Sequence, residues 1–282
     1  MNNLINSKRD YLEMLQKKLR RHFNYYIDNI FDQNVVEMTS RLETFREMYR
    51  GQRCFLMGNG PSLNNMDLDL LENELVWGSN RCYLLFDRIR WRPRFYTAVD
   101  TLVVPDNMRE INQLSKDLPD SLFFYPVEFH YEDILSSRKN VYWFTQIDMN
   151  EEYLPDGMFS LNPVKSVVSV RTVTITMMQL AVFMGFNPIY LIGCDTNYQI
   201  PKTVQIEDVN AGNLISTEDD PNHFSTSYFG KNKKWHEPHV DRMIFHYEQV
   251  KSICDKHGIN IMNATIGGNL EVFPRVNYID LF

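Results

Sequence analysis

The stretch CFLMGNGPS, residues 54–62, decides the fold of this chain. Its four apolar residues, Cys54 to Met57, form a run of the length typical of a buried strand. Two glycines follow and let the backbone turn sharply, while Pro61 stiffens the turn and Ser62 can cap the next helix. The N–H groups of such a turn suit a phosphate or a ribose. The spacing matches neither Gly-x-Gly-x-x-Gly nor a Walker A loop, so a purely structural turn stays open.

Outward from this stretch, short apolar runs alternate with helical patterns. The runs predict strands over residues 75–78, 95–99, 122–125, 141–144, 189–192 and 259–262. The helical patterns cover residues 68–75, 172–186 and 239–257. Strands that alternate with helices predict an α/β fold, a Rossmann-like and mostly parallel sheet with helices on both faces.

Two segments flank or interrupt this alternation. Residues 1–50 contain no glycine or proline, and their apolar residues recur at helical spacing, which predicts a helix over 8–50 as an N-terminal extension. Its basic cluster at 17–21 favours a solvated face on a helix that packs on the rest of the chain or on a second subunit; peripheral membrane contact is the alternative. The catalytic domain is predicted over 51–282, with a lid-like loop at 200–234, which is polar and lacks periodicity.

Composition narrows the class of protein. The chain has 282 residues, 44% of them hydrophobic, which is enough for a sizeable core. Its net charge of −7 argues against a nucleic-acid binder, which needs a basic face. No run of 18 apolar residues occurs, so no transmembrane helix is expected. Four cysteines without a Cys-x-x-Cys pair indicate reduced thiols and a cytoplasmic protein.

Polar residues follow the predicted strands where each strand ends. Asn80 follows the second strand, Asp100 the third, and Asp195 the strand over 189–192. Open α/β sheets bind ligands beyond the carboxyl ends of their strands. Two aspartates at the ends of neighbouring strands could share a Mg²⁺, hold a ribose or orient an acceptor. A turn asparagine and a helix-capping aspartate are the structural alternatives.

Histidines cluster late in the chain. Three of the seven fall within 17 residues, at His223, His236 and His239. Histidine is the natural general base near neutral pH, and Tyr228 lies between the first two. The spacing of His223 and His236 does not favour a metal site, and a structural role for either one stays open.

In this order, the pieces resemble one group of families. GNGPSL (58–63), SN (79–80), MGFNPIYLIGCD (184–195), a polar loop ending in histidines, a helix and a glycine-containing loop at 263–268 are similar to the bacterial family 42 sialyltransferases. They also resemble the related MptE-like domain, which occurs in motility-associated flagellin glycosyltransferases and in archaeal 6-hydroxymethylpterin diphosphokinases. The resemblance covers about residues 51–282.

The resemblance implies a role for most of these residues. The CMP part of a donor would lie on a set of loop residues, Gly58, Asn59, Gly60, Ser62 and Asn80. Asp195 corresponds to the strand-end aspartate of the sialyltransferases. His236, five positions before Asp241, corresponds to their general base. Tyr198 and Tyr228 match loosely the tyrosines that steady the leaving phosphate. Thr172 and Thr174 fall near the hydroxyl residues that begin a helix, and His223 is a further catalytic candidate.

One departure separates two expectations. The sialyltransferases carry asparagine where this chain has Asp100 and work without a metal, whereas MptE-like proteins typically keep an acid there. The leading expectation is a glycosyltransferase that needs no cofactor and moves an acidic sugar from a CMP-activated donor to a cell-surface or flagellar glycan. The alternative is a diphosphokinase in which Asp100 and Asp195 hold Mg²⁺ and ATP supplies diphosphate to a small alcohol. A non-catalytic nucleotide-binding protein is a third expectation.

Overall fold

The computed structural model describes residues 33–148, 159–170, 172–208 and 212–282, without the side chains of residues 148 and 208. A sheet of seven strands forms its centre. These are β1 (Cys54–Met57), β2 (Val76–Ser79), β3 (Phe95–Thr97), β4 (Leu122–Pro126), β5 (Val141–Phe144), β8 (Ile189–Ile192) and β12 (Ile261–Asn263). All neighbouring pairs are parallel, in the order β12-β8-β1-β2-β3-β4-β5. The predicted Rossmann-like α/β sheet is confirmed.

Five further strands form two small sheets beside the main one. β6 (Gln146–Asp148) and β7 (Val167–Ser169) pair in parallel. β9 (Gln205–Asp208), β10 (Asn213–Ile215) and β11 (Lys234–His236) form an antiparallel sheet in the order β11-β10-β9. The lid-like segment, residues 200–234, therefore has regular structure of its own, contrary to the loop that its polarity predicts.

Helices cover both faces of the main sheet. They are α1 (Gln33–Ser40), α2 (Val103–Asp106), α3 (Met108–Asp117), α4 (Glu128–Tyr131), α5 (Val173–Phe183) and α6 (Val240–Lys256). The apolar strands are buried on both sides because successive side chains point to opposite faces. In β1, Phe55 and Met57 belong to one core, whereas Cys54 and Leu56 belong to the core under α5 and α6.

The helix predicted over residues 8–50 differs from the one observed. Within the described residues α1 ends at Ser40, and a 3-10 helix over Arg41–Phe45 and turns follow. Phe45 is buried, and Tyr49 stacks on Phe186 at 4.7 Å between ring centroids, so residues 33–50 pack on the sheet. Aromatic packing therefore ends the helix well before Gly51. The basic cluster at 17–21 lies outside the described residues.

The other predicted elements agree within a few residues, with one exception. The helix expected over 68–75 is a single 3-10 turn, Leu68–Leu71, in which the Asp67 carboxylate accepts the N–H of Asp69. In the part of the chain that is described, no helix is both long and apolar enough to cross a membrane.

Candidate functional site

The carboxyl edge of the sheet contains one point where the strand order reverses. From β1 the chain adds β2 to β5 on one side and then returns to place β8 on the other side. The loops after β1 and β8 leave the sheet at this point, and open α/β sheets bind ligands at such a reversal of strand order. The Gly58–Ser62 turn and Asp195 both lie at this switch point, as the sequence predicts for one edge of a sheet.

Two glycines let these loops touch. A Cβ on Gly58 would lie 2.8 Å from the carbonyl carbon of Gly193, and one on Gly60 would overlap the carboxylate of Asp195. The N–H of Gly60 donates to the carbonyl oxygen of Gly193 at 2.9 Å. Only glycine fits at both positions, because any side chain would push the two loops apart.

Asp195 joins the loops through its side chain. Its carboxylate accepts the hydroxyl of Ser62 at 2.7 Å and the N–H of Ser62 at 3.2 Å. Burial raises the pKa of Asp195, although the two hydrogen bonds from Ser62 act in the opposite direction. Ser62 lies inside a 3-10 helix, Pro61–Asn65, so it does not cap a helix as its type suggests. Its hydroxyl holds Asp195 instead.

Two asparagines at the ends of β1 and β2 have an acceptor that the protein leaves unused. Asn59 donates its side-chain amide to the hydroxyl of Ser79 at 3.1 Å. The side-chain oxygens of Asn59 and Asn80 are buried, and among the described residues neither has a hydrogen-bond partner. Asn80 has a φ of 47°, a left-handed backbone that is uncommon outside glycine. A ligand with hydroxyl or amino donors would satisfy both oxygens.

Two threonine hydroxyl groups lie close to Tyr247 at the start of α5. Thr172 caps α5 and accepts the N–H of Thr174 at 3.3 Å. Burial raises the pKa of Tyr247 despite its hydrogen bonds with Thr174 and Thr172. Burial also raises the pKa of Cys194 to about 12, so this thiol stays protonated. The two threonines thus lie at the start of the predicted helix but serve contacts within the protein.

The lid-like segment is attached to the loops after β1 and β2. The N–H of Phe224 donates to the carbonyl oxygen of Asn59 at 2.9 Å. The Arg81 guanidinium donates to the carbonyl oxygens of Ser227, at 2.9 Å, and of Tyr228. Tyr228 is buried, and its hydroxyl accepts the N–H of Arg81 at 3.4 Å. These contacts hold residues 222–229 against the loops that follow β1 and β2.

His223 is held within this attached segment. Its Nδ1 lies 2.7 Å from a carboxylate oxygen of Asp220. Its ring stacks on Tyr228 with 3.9 Å between centroids and meets the edge of Tyr198 at 6.2 Å. Three predicted catalytic residues therefore come together here, while Asp220 was missed. Its only signal in the sequence is an Asp-x-x-His spacing inside a polar segment, which is too common to identify a pair.

Asp100 and His236 meet elsewhere, at the end of β3. Nε2 of His236 lies 3.8 Å from Oδ1 of Asp100. The same oxygen accepts the N–H groups of Leu102 and Val103, at 2.7 and 2.8 Å, where α2 begins. The side chains of His236 and Asp100 are 39% and 27% exposed. The contact between His236 and Asp100 is longer than the one between His223 and Asp220, and its side chains are more exposed.

The expectation that Asp100 and Asp195 end neighbouring strands is wrong. Two strands, β1 and β2, lie between β3 and β8. Three strand spacings of about 4.8 Å put the two chain positions about 14 Å apart. One Mg²⁺ binds oxygens at about 2.1 Å, so it cannot bridge them. The described residues also hold no cluster of three or more Asp, Glu, His or Cys suited to a metal. Dependence on Mg²⁺ as such stays a prediction.

The family follows from a comparison with protein-family models. The model described as 6-hydroxymethylpterin diphosphokinase MptE-like matches residues 28–201, more than half of the 282 residues. The chain belongs to the MptE-like family. The family resemblance inferred from GNGPSL and GCD is thereby confirmed, with different bounds: the match begins at residue 28 rather than 51 and ends at residue 201. No curated protein matches the sequence.

Solved structures with a similar fold include two kinds of transferase. The MAf glycosyltransferase from Magnetospirillum magneticum AMB-1 is 16% identical, with a TM-score of 0.49 over 88% of this MptE-like chain and 38% of that chain. The sialyltransferase CstII from Campylobacter jejuni, solved with cytidine-5'-monophosphate, is 13% identical, with a TM-score of 0.40 over 79% and 84%. The MptE-like chain thus spans little more than a third of the MAf enzyme.

Proposed function

We propose that this MptE-like protein is a glycosyltransferase that moves an acidic sugar from a CMP-activated donor to a cell-surface or flagellar glycan. The observation that carries the proposal is the pair of buried, unpaired oxygens on Asn59 and Asn80 beside the Gly58–Ser62 turn. A nucleoside supplies the donors that these oxygens need, through its ribose hydroxyls and its exocyclic amine. The motif resemblance to sialyltransferases favours cytidine.

The proposed reaction is a single displacement at the anomeric carbon of the sugar. The acceptor oxygen forms a bond to that carbon as the bond to the CMP phosphate oxygen breaks. The electron pair of the broken bond stays on the phosphate, and the acceptor proton passes to a base. The sequence favours His236 as this base.

The charges near the switch point favour a donor with few phosphates. In the fully described loops over 58–62, 78–81 and 193–197, Arg81 is the only basic residue. Its guanidinium already donates to two carbonyl oxygens of the lid-like segment. A triphosphate carries about four negative charges and needs cations that these loops do not supply, whereas a CMP-sugar has a single phosphate.

A second candidate is the diphosphokinase activity in the family's name, here with Mg²⁺ as a required ion. One observation favours it, because the contacts of the Asp100 side chain with the described residues all involve Oδ1, which leaves Oδ2 available to a ligand. Mg²⁺ is often bound by one carboxylate together with substrate phosphates. Asp195 fits such a role poorly, since its carboxylate is engaged by Ser62. In this candidate Mg²⁺ would offset the negative charge of ATP near Asp100.

Several expectations from the sequence stay predictions. They include a cytoplasmic location, a homo-oligomer, contact with a membrane surface and no binding to nucleic acid. The expectation that the acceptor is a glycan or a small molecule also stays a prediction, which an activity assay can test. The net charge of −7 supports the expectation about nucleic acid.

The test is nucleotide binding followed by turnover. Thermal unfolding is measured with CMP, CDP, CTP, ADP and ATP, each with Mg²⁺ and with EDTA. A ligand at about 100 times its dissociation constant adds roughly 2.7 kcal/mol. For a domain of this size the midpoint should rise by about 5–10 °C. Stabilisation by cytidine nucleotides in EDTA, followed by release of CMP from a CMP-sugar, is the expected result.

Two asparagine variants show where the nucleotide binds. Asn59→Ala should remove the shift, because it deletes the unpaired acceptor. Asn260→Ala is the matched control, since Asn260 is exposed and precedes β12 at the opposite edge of the sheet. Stabilisation by ATP only, and only with Mg²⁺, would replace the glycosyltransferase with the diphosphokinase. Binding without turnover of either donor would support a non-catalytic protein.

A further inference from the structure

Asp220 is a buried carboxylate whose position the backbone determines. Oδ1 accepts the N–H of Asn222 at 2.7 Å, and Oδ2 accepts the N–H of Phe229 at 2.9 Å. The side chain is 2% exposed. Because two backbone donors fix the carboxylate from either side of His223, its place does not depend on the imidazole that it contacts.

This carboxylate determines the protonation pattern of the His223 ring. An ionised carboxylate can only accept, so the Nδ1 that lies 2.7 Å from Oδ2 carries the hydrogen. A neutral imidazole then keeps its lone pair on Nε2. The only hydrogen bond of the His223 ring to the described residues is the one at Nδ1, and the side chain is 9% exposed.

Aromatic rings hold the imidazole in place. The ring is parallel to Tyr228 within 3°, at 3.9 Å between centroids, and meets Phe229 edge-on at 5.1 Å. Tyr228 is itself buried. Rotation of His223 would therefore disrupt both the stack and the hydrogen bond to Asp220.

The held imidazole lies beside the switch point. The N–H of its neighbour Phe224 donates to the carbonyl oxygen of Asn59 in the Gly58–Ser62 turn. Burial raises the pKa of Asp195, and His223 lies near enough to lower it whenever the imidazole is protonated. The titratable groups around the ring are thus Asp220 and Tyr228 from the lid-like segment, and Asp195 and Tyr198 from the loop after β8.

We propose that Asp220 is a positioning residue that keeps His223 in the Nδ1–H form and presents Nε2 to the acceptor hydroxyl. In the reaction proposed above, on which this role rests, the acceptor proton passes to Nε2 as the bond from oxygen to the anomeric carbon forms. His223 would then be the base in place of His236. His236 has no carboxylate closer than 3.8 Å among the described residues, and its side chain is 39% exposed.

The first arm of the test does not need turnover. The full chain, labelled with ¹⁵N in its histidine rings, is studied by long-range ¹H–¹⁵N correlation NMR. The signal lost in His223→Gln identifies this ring. The wild type should show an unprotonated Nε2, and Asp220→Asn should give a mixture of tautomers, because an amide can either donate or accept. Asp219→Asn, an exposed neighbour, is the control and should leave the signal unchanged.

The second arm measures turnover of the CMP-sugar. Asp220→Asn should lower kcat by at least about 100-fold with KM for the donor nearly constant, since the equivalent change in a Ser-His-Asp triad costs up to about 10⁴-fold. His223→Gln should lose at least as much and exceed the loss in His236→Gln. Unchanged thermal midpoints would show that the variants are folded.

The outcomes separate the two proposals. A wild-type ring with the proton on Nε2, or an unaltered tautomer in Asp220→Asn, would overturn the positioning role. A kcat loss confined to His236→Gln would return the base to His236. Wild-type protein that turns over neither CMP-sugars nor Mg-ATP would overturn the transferase and the base role together, while the NMR result would still decide whether Asp220 fixes the ring.

Discussion

The two polar groups at the carboxyl edge of the sheet are built differently. The switch-point cluster, Ser62, Asp195, Asp220 and His223, has side-chain contacts of 2.7 Å, and its histidine is 9% exposed. The β3-edge pair, Asp100 and His236, is 3.8 Å apart, and its histidine is 39% exposed. Buried, hydrogen-bonded groups keep one geometry, whereas exposed ion pairs contribute little and move easily.

The difference in contact distance and exposure distinguishes the two groups as candidates for proton transfer, whereas residue type does not. The sequence offers an aspartate and a histidine in both places, and the resemblance favours His236. Positioning a base within hydrogen-bond reach of its target matters strongly for rate, so the rigid cluster is the better candidate for proton transfer. The more exposed β3-edge pair is better suited to a ligand that binds together with an ion or water.

The largest effect is expected from Gly60→Ala. A Cβ there would overlap the carboxylate of Asp195 and lie 2.8 Å from the carbonyl oxygen of Gly193. Forcing these loops apart should lower the free energy of unfolding by about 3 kcal/mol or more and abolish nucleotide stabilisation. Urea unfolding measures it. Gly230→Ala, whose new Cβ meets nothing closer than 3.4 Å, is the control, and an equal loss in both variants would contradict the explanation.

A smaller loss is expected from Ser62→Ala. The change removes the shorter of two hydrogen bonds to the buried Asp195, which should cost about 1–3 kcal/mol. A double-mutant cycle with Asp195→Asn, followed by urea unfolding, should show coupling between the two sites. Ser136→Ala, on an exposed residue, should be near neutral. Additive losses at Ser62 and Asp195 would show that this contact contributes no stability.

The stability that Asp100 contributes should depend on its hydrogen-bond acceptor rather than on its charge. Asp100→Ala removes the acceptor for the N–H groups of Leu102 and Val103 and should cost about 0.5–2 kcal/mol, as the loss of a helix cap does. Asp100→Asn keeps an acceptor and should cost less. Thermal unfolding compares the two. If Asp100→Asn alone abolishes Mg-dependent binding of ATP, the pair is a metal site and the diphosphokinase gains support.

The smallest effect is a pH dependence at Asp195. Its native pKa is raised above the ordinary 3.8, so the folded chain holds this proton more tightly than the unfolded chain does. The resulting stabilisation is fully present below pH 3.8 and is lost as the pH rises through the raised pKa. The stability of wild type minus that of Asp195→Asn should therefore fall over this interval in urea titrations. A stability difference that rises with pH would contradict the conclusion that burial raises the pKa of Asp195.

Local sequence patterns predicted much of the fold but not the neighbours of each strand. The apolar runs over 54–57, 141–144 and 189–192 give strands with those bounds, because buried parallel strands are continuously apolar. The order of strands depends on where the chain crosses back, which no local pattern records. For that reason Asp100 and Asp195 were expected side by side, although two strands separate them.

The candidate site was predictable where backbone shape requires a residue type. Gly58 and Gly60 stand out because close contact of two loops excludes side chains. Asp220 and Arg81 do not stand out, since their roles depend on how the lid-like segment folds back. That segment forms its own small sheet although it is polar and lacks a periodic apolar pattern, so the sequence did not predict strands there.

Trp235 gives the lid-like segment an optical signal. The chain has four tryptophans, and Trp77, Trp91 and Trp143 lie with the main sheet. Trp235 is buried on β11 and stacks on Phe229, with 5.9 Å between ring centroids. Exposure of this indole to water would move its fluorescence to longer wavelength. A variant that keeps Trp235 alone would therefore let stopped-flow emission report whether the packing of this segment changes when a nucleotide is added.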